Sequence, residues 1–176
     1  MTKKVRNIVY AAVIAALYVV LTNLQNILLP GSTTWAIQFR ASEALCVLAL
    51  FTPAAIPGLT IGCFLFNINY SQALPLDILV GSLATFLACG AMYLTRNVKF
   101  KGMPWIAMTM PALFNAILVG GELTVYIGEA FWLNALFVFI GEMVVLYTLG
   151  WFLYAALKRR NLYLRLFPRE SKDSGR

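Results

Sequence analysis

The chain has 176 residues, of which 61% are hydrophobic and only 12% are charged, and its mean hydropathy is +0.78. A soluble domain carries about 25% charged residues, and one of this size could not bury so much apolar surface. This composition excludes a soluble enzyme, a disordered chain and a secreted disulfide scaffold. The formal net charge is +7, but the basic residues stand at the edges of apolar segments, a membrane-protein pattern that requires no nucleic acid.

Six apolar segments are predicted to cross the membrane as helices: 7–29, 39–51, 54–68, 76–94, 104–123 and 131–157. The second and third are short, and prolines follow or interrupt them. We therefore predict an all-α membrane protein, a six-transmembrane-helix bundle that forms a single membrane domain over residues 1–176 and lies in the cell membrane as a multi-pass protein.

Loop charges predict the orientation of this bundle. The 95–103 loop and the tail at 158–176 are basic, whereas the loops at 30–38, 69–75 and 124–130 contain no Lys or Arg. Because basic loops stay in the cytoplasm, both termini, including residues 1–6, are predicted to be cytoplasmic.

The first segment carries a stripe of small residues. Ala11 and Ala15, and likewise Ala12 and Ala16, are spaced four apart. Small residues at this spacing let another helix approach closely. The spacing alone leaves two interpretations open, packing inside the bundle and docking of a partner protein.

Polar residues gather in the outer half of the predicted bundle. Ionisable groups are costly inside a bilayer, so they mark functional sites. The candidate substrate-binding residues are Gln38, Arg40, Glu43, Asn67, Asp77, Asn115, Glu122, Trp132, Asn134 and Glu142. Since the inner half has almost no polar residues, this distribution predicts a cavity open to the outside rather than a through-pore.

Several of these residues have a structural alternative. Arg40 and Glu43 are spaced to form an ion pair that orients a short helix, and Asp77 suits a helix N-terminus. Glu122 fits simple exposure at the interface, and Trp132 fits an aromatic belt. Glu142 is the deepest acid and has no basic residue within a helical turn, so it is predicted to be a principal ligand carboxylate.

The sequence lacks motifs for catalysis, nucleotide binding and metal binding. The chain has no histidine and no P-loop, and Cys46, Cys63 and Cys89 lack a metal-site spacing. No catalytic residue, metal or cofactor is predicted, and any ATP hydrolysis is assigned to other chains.

Five stretches resemble one transporter family. They are IQFRASEAL at 37–45, FTPAAIPGL at 51–59, Asp77 with GSLAT at 81–85, FNAILVG at 114–120, and Gly141-Glu142. Together, in order within residues 7–157, they resemble the QueT family, the substrate-binding S components of energy-coupling factor (ECF) transporters for queuosine precursors. The resemblance implies six helices and delivery by toppling in the membrane on a transmembrane T component with two cytoplasmic ABC ATPases. It also favours partner docking by the alanine stripe.

The expected cargo is a 7-deazaguanine base or queuine. Carboxylates accept the N–H donors of such a base, a second carboxylate matches a cationic aminomethyl arm, and Asn115, Gln38 or Arg40 can donate to its carbonyl. Three alternatives remain open: an S component for a thiamine-like heterocycle, an intramembrane carboxylate enzyme, and a self-sufficient secondary transporter. The enzyme lacks a nucleophile or metal cluster, and the secondary transporter lacks an inverted repeat.

Overall fold

The computed structural model describes residues 2–30, 32, 39–70 and 75–167. Regular structure there is helical: α1 Lys3–Leu28, a 3₁₀ helix Ala41–Leu50, α2 Ala55–Asn69, α3 Asp77–Thr95, α4 Trp105–Ile127, α5 Phe131–Val145, a π-helical turn Leu146–Gly150, α6 Trp151–Lys158, a 3₁₀ turn Arg159–Asn161, and α7 Leu162–Leu166. A single bridge joins Phe100 and Met103. The all-α prediction is thereby confirmed for the described residues.

Four helices are long and apolar enough to cross a membrane: α1, α3, α4 and the continuous 28-residue rod Phe131–Lys158 that α5, the π turn and α6 build. The two predicted short segments form the 3₁₀ helix and α2, which are shorter than the roughly 20 residues of a full α-helical span. The structure therefore agrees with a membrane-embedded helical bundle.

The 3₁₀ helix passes through the interior, and residues 42–49 are all buried. A 3₁₀ helix rises about 2.0 Å per residue, so ten residues extend about 20 Å instead of about 15 Å. It also has three residues per turn, which places Arg40, Glu43 and Cys46 along one face. The Gln25 side chain on α1 accepts a hydrogen bond from the Ala41 backbone N–H at 2.7 Å and fixes the start of this helix.

Glycines allow two pairs of helices to approach closely. A Cβ on Gly62 of α2 would lie 2.8 Å from Tyr18 Cβ, and one on Gly58 would lie 2.8 Å from the Ala11 carbonyl oxygen. On the other side of the bundle, a Cβ on Gly120 of α4 would lie 2.7 Å from Ala135 Cα on α5. These contacts fix α1 against α2 and α4 against α5.

The main apolar core joins α1, the 3₁₀ helix, α2 and α3 to the later helices through residues such as Tyr18, Leu59, Met92 and Leu146. At the far end of the chain, α7 folds back onto the beginning of α1. The Tyr10 hydroxyl donates to the Leu166 carbonyl at 2.7 Å, and the Tyr10 and Phe167 rings meet edge to face at 5.2 Å. The first and last described helices therefore meet at one end of the bundle.

Candidate functional site

Four carboxylic acids surround one arginine inside the bundle. They are Glu43 on the 3₁₀ helix, Asp77 at the start of α3, Glu122 on α4 and Glu142 on α5, and each is at most 6% exposed. Arg40, which is 8% exposed, interacts electrostatically with all four. We call these five residues the Arg40 cluster. With every group ionised, the cluster carries four negative charges against one positive charge.

Glu43 is held in place by two hydrogen bonds. The Tyr18 hydroxyl on α1 donates to Glu43 Oε1 at 2.9 Å, and the Cys46 thiol donates to Glu43 Oε2 at 3.2 Å. Nearby, the Thr22 hydroxyl donates to Ser42 Oγ at 2.8 Å and ties α1 to the 3₁₀ helix. Both oxygens of Glu43 are thus occupied, as suits a residue that organises the site.

Glu142 lies deep along α5, and only one of its two carboxylate oxygens accepts a hydrogen bond. Asn115 Nδ2 donates to Glu142 Oε1 at 3.0 Å, while Glu142 Oε2 has no hydrogen-bond partner in the described part of the chain. The Nε of Arg40 also lacks a partner there. A buried acceptor and a buried donor of this kind are costly unless a ligand or water pairs with them.

One small cavity brings these groups together. It is lined by Arg40, Glu43, Gly81, Thr85, Asn115, Val119, Val138 and Glu142. Its volume is about 10 Å³, close to the space of a single water molecule. Any ligand larger than a water molecule therefore requires the surrounding helices to move apart.

The outer end of the cluster contains Asp77 and Glu122, which lie close enough to interact electrostatically. Asn67 lies beside them, and its Nδ2 donates to the Asp77 backbone carbonyl at 2.7 Å. Asn134 is fully buried, and its Nδ2 donates to Thr124 Oγ1 at 3.2 Å. Asn67 Oδ1 and Asn134 Oδ1 have no hydrogen-bond partner among the described residues.

Most of the sequence-predicted residues that the structure describes meet in or beside this cluster, and one of them does not. Trp132 is 80% exposed and packs against Phe131, so the structure does not bring it to the cluster. Gln38 lies outside the described residues. The alternative of simple interfacial exposure for Glu122 is wrong, because Glu122 is buried.

Sequence reasoning missed Tyr18, Cys46 and four cavity residues, Gly81, Thr85, Val119 and Val138. A signal existed for some of them. Gly81 and Thr85 are the first and last residues of the GSLAT stretch, and Val119 lies in the FNAILVG stretch. Cys46 follows Glu43 by three residues, a spacing that aligns the two side chains along one face of a 3₁₀ helix.

A second feature is an open apolar groove between α1 and α2, with a volume of about 810 Å³. All four residues of the alanine stripe line it, together with Pro53, Pro57 and other apolar side chains. Ala12 and Ala16 are exposed, whereas Ala15 is buried and packs near Gly62. The stripe therefore packs inside the bundle on one edge and faces outward on the other. We call this feature the alanine groove.

Comparison with known proteins identifies the family. A family profile described as "QueT transporter" matches residues 8–159. The chain belongs to the QueT transporter family. It is also 38% identical, over 98 residues, to the "Queuosine precursor transporter QueT" of Lactococcus lactis subsp. cremoris (strain MG1363). That alignment covers 53% of this chain and 54% of the relative, so the two match over about half of their lengths. No solved structure matches the chain.

Family membership confirms several predictions made from the residues. As a member of a transporter family with long apolar helices, the chain is a multi-pass membrane protein. Among the described residues, no three His, Cys, Asp or Glu side chains are placed to hold a metal ion. The Arg40 cluster is the candidate site of this QueT family member.

Proposed function

We propose that this QueT family member is the substrate-binding S component of an ECF importer and captures a queuosine precursor from outside. The observation that carries this proposal is the Arg40 cluster, four buried carboxyl groups around one guanidinium in an otherwise apolar bundle. Such an excess of acceptors suits a donor-rich and cationic heterocycle, and it disfavours an anionic vitamin.

The proposed topology has six spans, formed by the four long helices together with the 3₁₀ helix and α2, with both termini in the cytoplasm. Two features support it: α7 packs on the start of α1, and the loop that joins α3 to α4 contains Arg96, Lys99 and Lys101. In this orientation the start of α3, the end of α4 and the start of α5 face outward. Asp77, Glu122 and Asn134 then lie near the outer surface, with Glu142 deeper.

The deep end of the cluster is proposed to bind the base. Glu142 Oε2 is an acceptor without a partner in the described chain, which suits an N–H of the pyrimidine edge of a 7-deazaguanine. Arg40 Nε is a donor that likewise has no partner there, which suits the base carbonyl. Asn115 orients Glu142 through its 3.0 Å hydrogen bond.

The alanine groove is proposed to dock on the transmembrane T component, which two cytoplasmic ABC ATPases energise. The exposed Ala12 and Ala16 present small side chains to the lipid along a groove of apolar residues. Small residues allow a partner helix to approach closely in a bilayer, where van der Waals packing and not hydrophobicity drives association.

Calorimetric titration of the purified chain tests the function. Queuine and the aminomethyl precursor should bind with a one-to-one stoichiometry, and thiamine, a competitor that also suits carboxylates, should bind much more weakly. Native mass spectrometry of the purified protein should detect a retained deazaguanine. Tight binding of thiamine and none of either deazaguanine would reject this substrate in favour of the thiamine-like alternative.

Uptake measurements in proteoliposomes test the proposed partners. The chain with the T component and ATPases should accumulate substrate when ATP is supplied inside. The chain by itself should not, since it has no nucleotide-binding motif. Concentrative uptake by the lone chain would instead support a secondary transporter.

A further inference from the structure

The outer pair of acids, Asp77 and Glu122, has no role in the recognition of the base described above. Both residues are at least 94% buried, and the two acids lie close enough to interact electrostatically. Neither oxygen of Glu122 has a hydrogen-bond partner among the described residues. Two ionised carboxylates cannot bond each other, because each accepts and neither donates. Arg40 interacts with both acids, but it also faces Glu43 and Glu142.

Two like charges this close are unfavourable in a medium of low dielectric constant. A proton on one of the two groups, or a cation against them, relieves this repulsion. An ammonium group is the cation that suits the pair best, since it supplies three donors and a positive charge to oxygens that otherwise only accept.

The position of the pair relative to the base site is equally specific. Glu122 and Asn115 both lie on α4, seven residues apart, which places them on one face of the helix with a separation of about 10 Å along its axis. Asn115 is bonded to Glu142 at the deep end. A bicyclic base lying lengthwise between the two ends, with its pyrimidine edge at Glu142, points its opposite edge and any side arm toward the outer pair.

We propose that Asp77 and Glu122 form a second subsite that binds the protonated amine on the side arm of the substrate and thereby selects aminated precursors over neutral ones. This inference rests on the proposed function, since it takes the base to occupy the deep end. It adds that the two ends of the site differ in chemistry. The deep end recognises the hydrogen-bond pattern of the base, and the outer end recognises the positive charge of the arm. Asn134 lies buried near the outer end and offers Oδ1 as a further acceptor.

The test uses two ligands that share the same base and differ only in the arm. In 7-aminomethyl-7-deazaguanine the arm is a cation, and in 7-cyano-7-deazaguanine it is a neutral nitrile. Calorimetric titrations of both ligands are made into the wild-type chain and the double variant Asp77→Asn/Glu122→Gln, in which both acids are replaced by neutral groups of the same shape. The double variant is needed because one remaining carboxylate still attracts an ammonium group.

The wild type should bind the aminomethyl base about tenfold or more tightly than the cyano base. The double variant should lose this preference: its affinity for the aminomethyl base should fall by at least about tenfold, and its affinity for the cyano base should stay within about twofold of wild type. Retained cyano binding also shows that the variant is folded. Glu129→Gln is the matched control, because Glu129 is an exposed acid near the same end of α4 and should leave both affinities unchanged.

Three results would overturn the inference while leaving the proposed function intact. The first is equal affinity of the wild type for the two bases. The second is a preference for the aminomethyl base that survives in the double variant. The third is an equal loss of affinity for both ligands in the double variant, which would make the pair structural. If the wild type binds neither base, the proposed function itself fails. Glu142→Gln separates the two ends further, since it should weaken both ligands by the same factor.

Discussion

The Arg40 cluster and the alanine groove differ in polarity and in openness, although both belong to the same bundle. The cluster draws polar side chains from four helical elements and closes around them, with about 10 Å³ of free space. The groove is formed by two helices that are close in the sequence, is lined by apolar side chains, and remains open with about 810 Å³. Burial of polar groups in the membrane interior requires partners on every side, whereas an apolar groove is tolerated because lipid chains can fill it.

One residue connects the two regions. Tyr18 lies on the face of α1 that packs against Gly62, and its hydroxyl donates to Glu43 in the cluster at 2.9 Å. A helix that docks in the groove presses on the same α1 that supports Glu43. Each region can therefore be tested with its own variants, and Tyr18 with a variant that removes its contact with the cluster.

The largest effect is expected for Glu142→Gln. This variant replaces an acceptor oxygen with a donor where the base presents an N–H, and the loss of a buried charged hydrogen bond costs about 2–5 kcal/mol. Affinity for queuine and its aminomethyl precursor should fall by roughly 30-fold or more, as measured by calorimetric titration. Unchanged affinity would assign Glu142 a structural role and direct attention to Glu43.

Next in size are the close helix contacts, which support both regions. A Cβ on Gly62 would lie 2.8 Å from Tyr18 Cβ, so Gly62→Ala should destabilise the fold by about 1–3 kcal/mol through overpacking. Thermal melting in detergent measures this change. Gly90→Ala is the matched control, because its Cβ would meet no atom within 4 Å. Equal melting temperatures for the two variants would contradict the close α1–α2 packing.

Variants of the groove should affect assembly and not substrate binding. Ala12→Leu or Ala16→Leu adds volume on the exposed edge of the stripe and should reduce recovery of the T component in a pull-down by about tenfold, if overpacking costs about 1–3 kcal/mol at this interface. Ala156→Leu, an exposed alanine on α6 outside the groove, is the control. Intact complexes with both groove variants would remove the docking role.

The smallest effect is expected for the connecting residue. Tyr18→Phe keeps the ring against Gly62 and removes only the hydrogen bond to Glu43, which contributes about 1 kcal/mol. Substrate affinity should fall about fivefold, with the T component still recovered in full. Tyr147→Phe is the control, since the Tyr147 hydroxyl bonds Trp105 and Thr109 outside the cluster. A similar loss of affinity in both variants would argue against a specific role for the Tyr18–Glu43 contact.

Hydropathy predicted the helical class, the positions of the long segments and the membrane location from the sequence, because these depend on residues that are neighbours in the chain. The geometry of the second segment was not predictable in this way. Its ten residues form a 3₁₀ helix that is buried along nearly its whole length, and this conformation is set by the tertiary packing around it and not by local preference.

The sequence alone determined that acids and amides gather toward one end of the bundle. Hydropathy indicates where each segment enters and leaves the membrane, and loop charge indicates which end of the segment faces outward. Only the tertiary structure decided which of them meet. Glu43 and Glu142 are almost one hundred residues apart and share a cavity, while Trp132, predicted beside them, faces outward. Depth follows from local composition, but lateral contact depends on how each helix rotates and packs, and glycines such as Gly62 and Gly120 set that packing through contacts with distant residues.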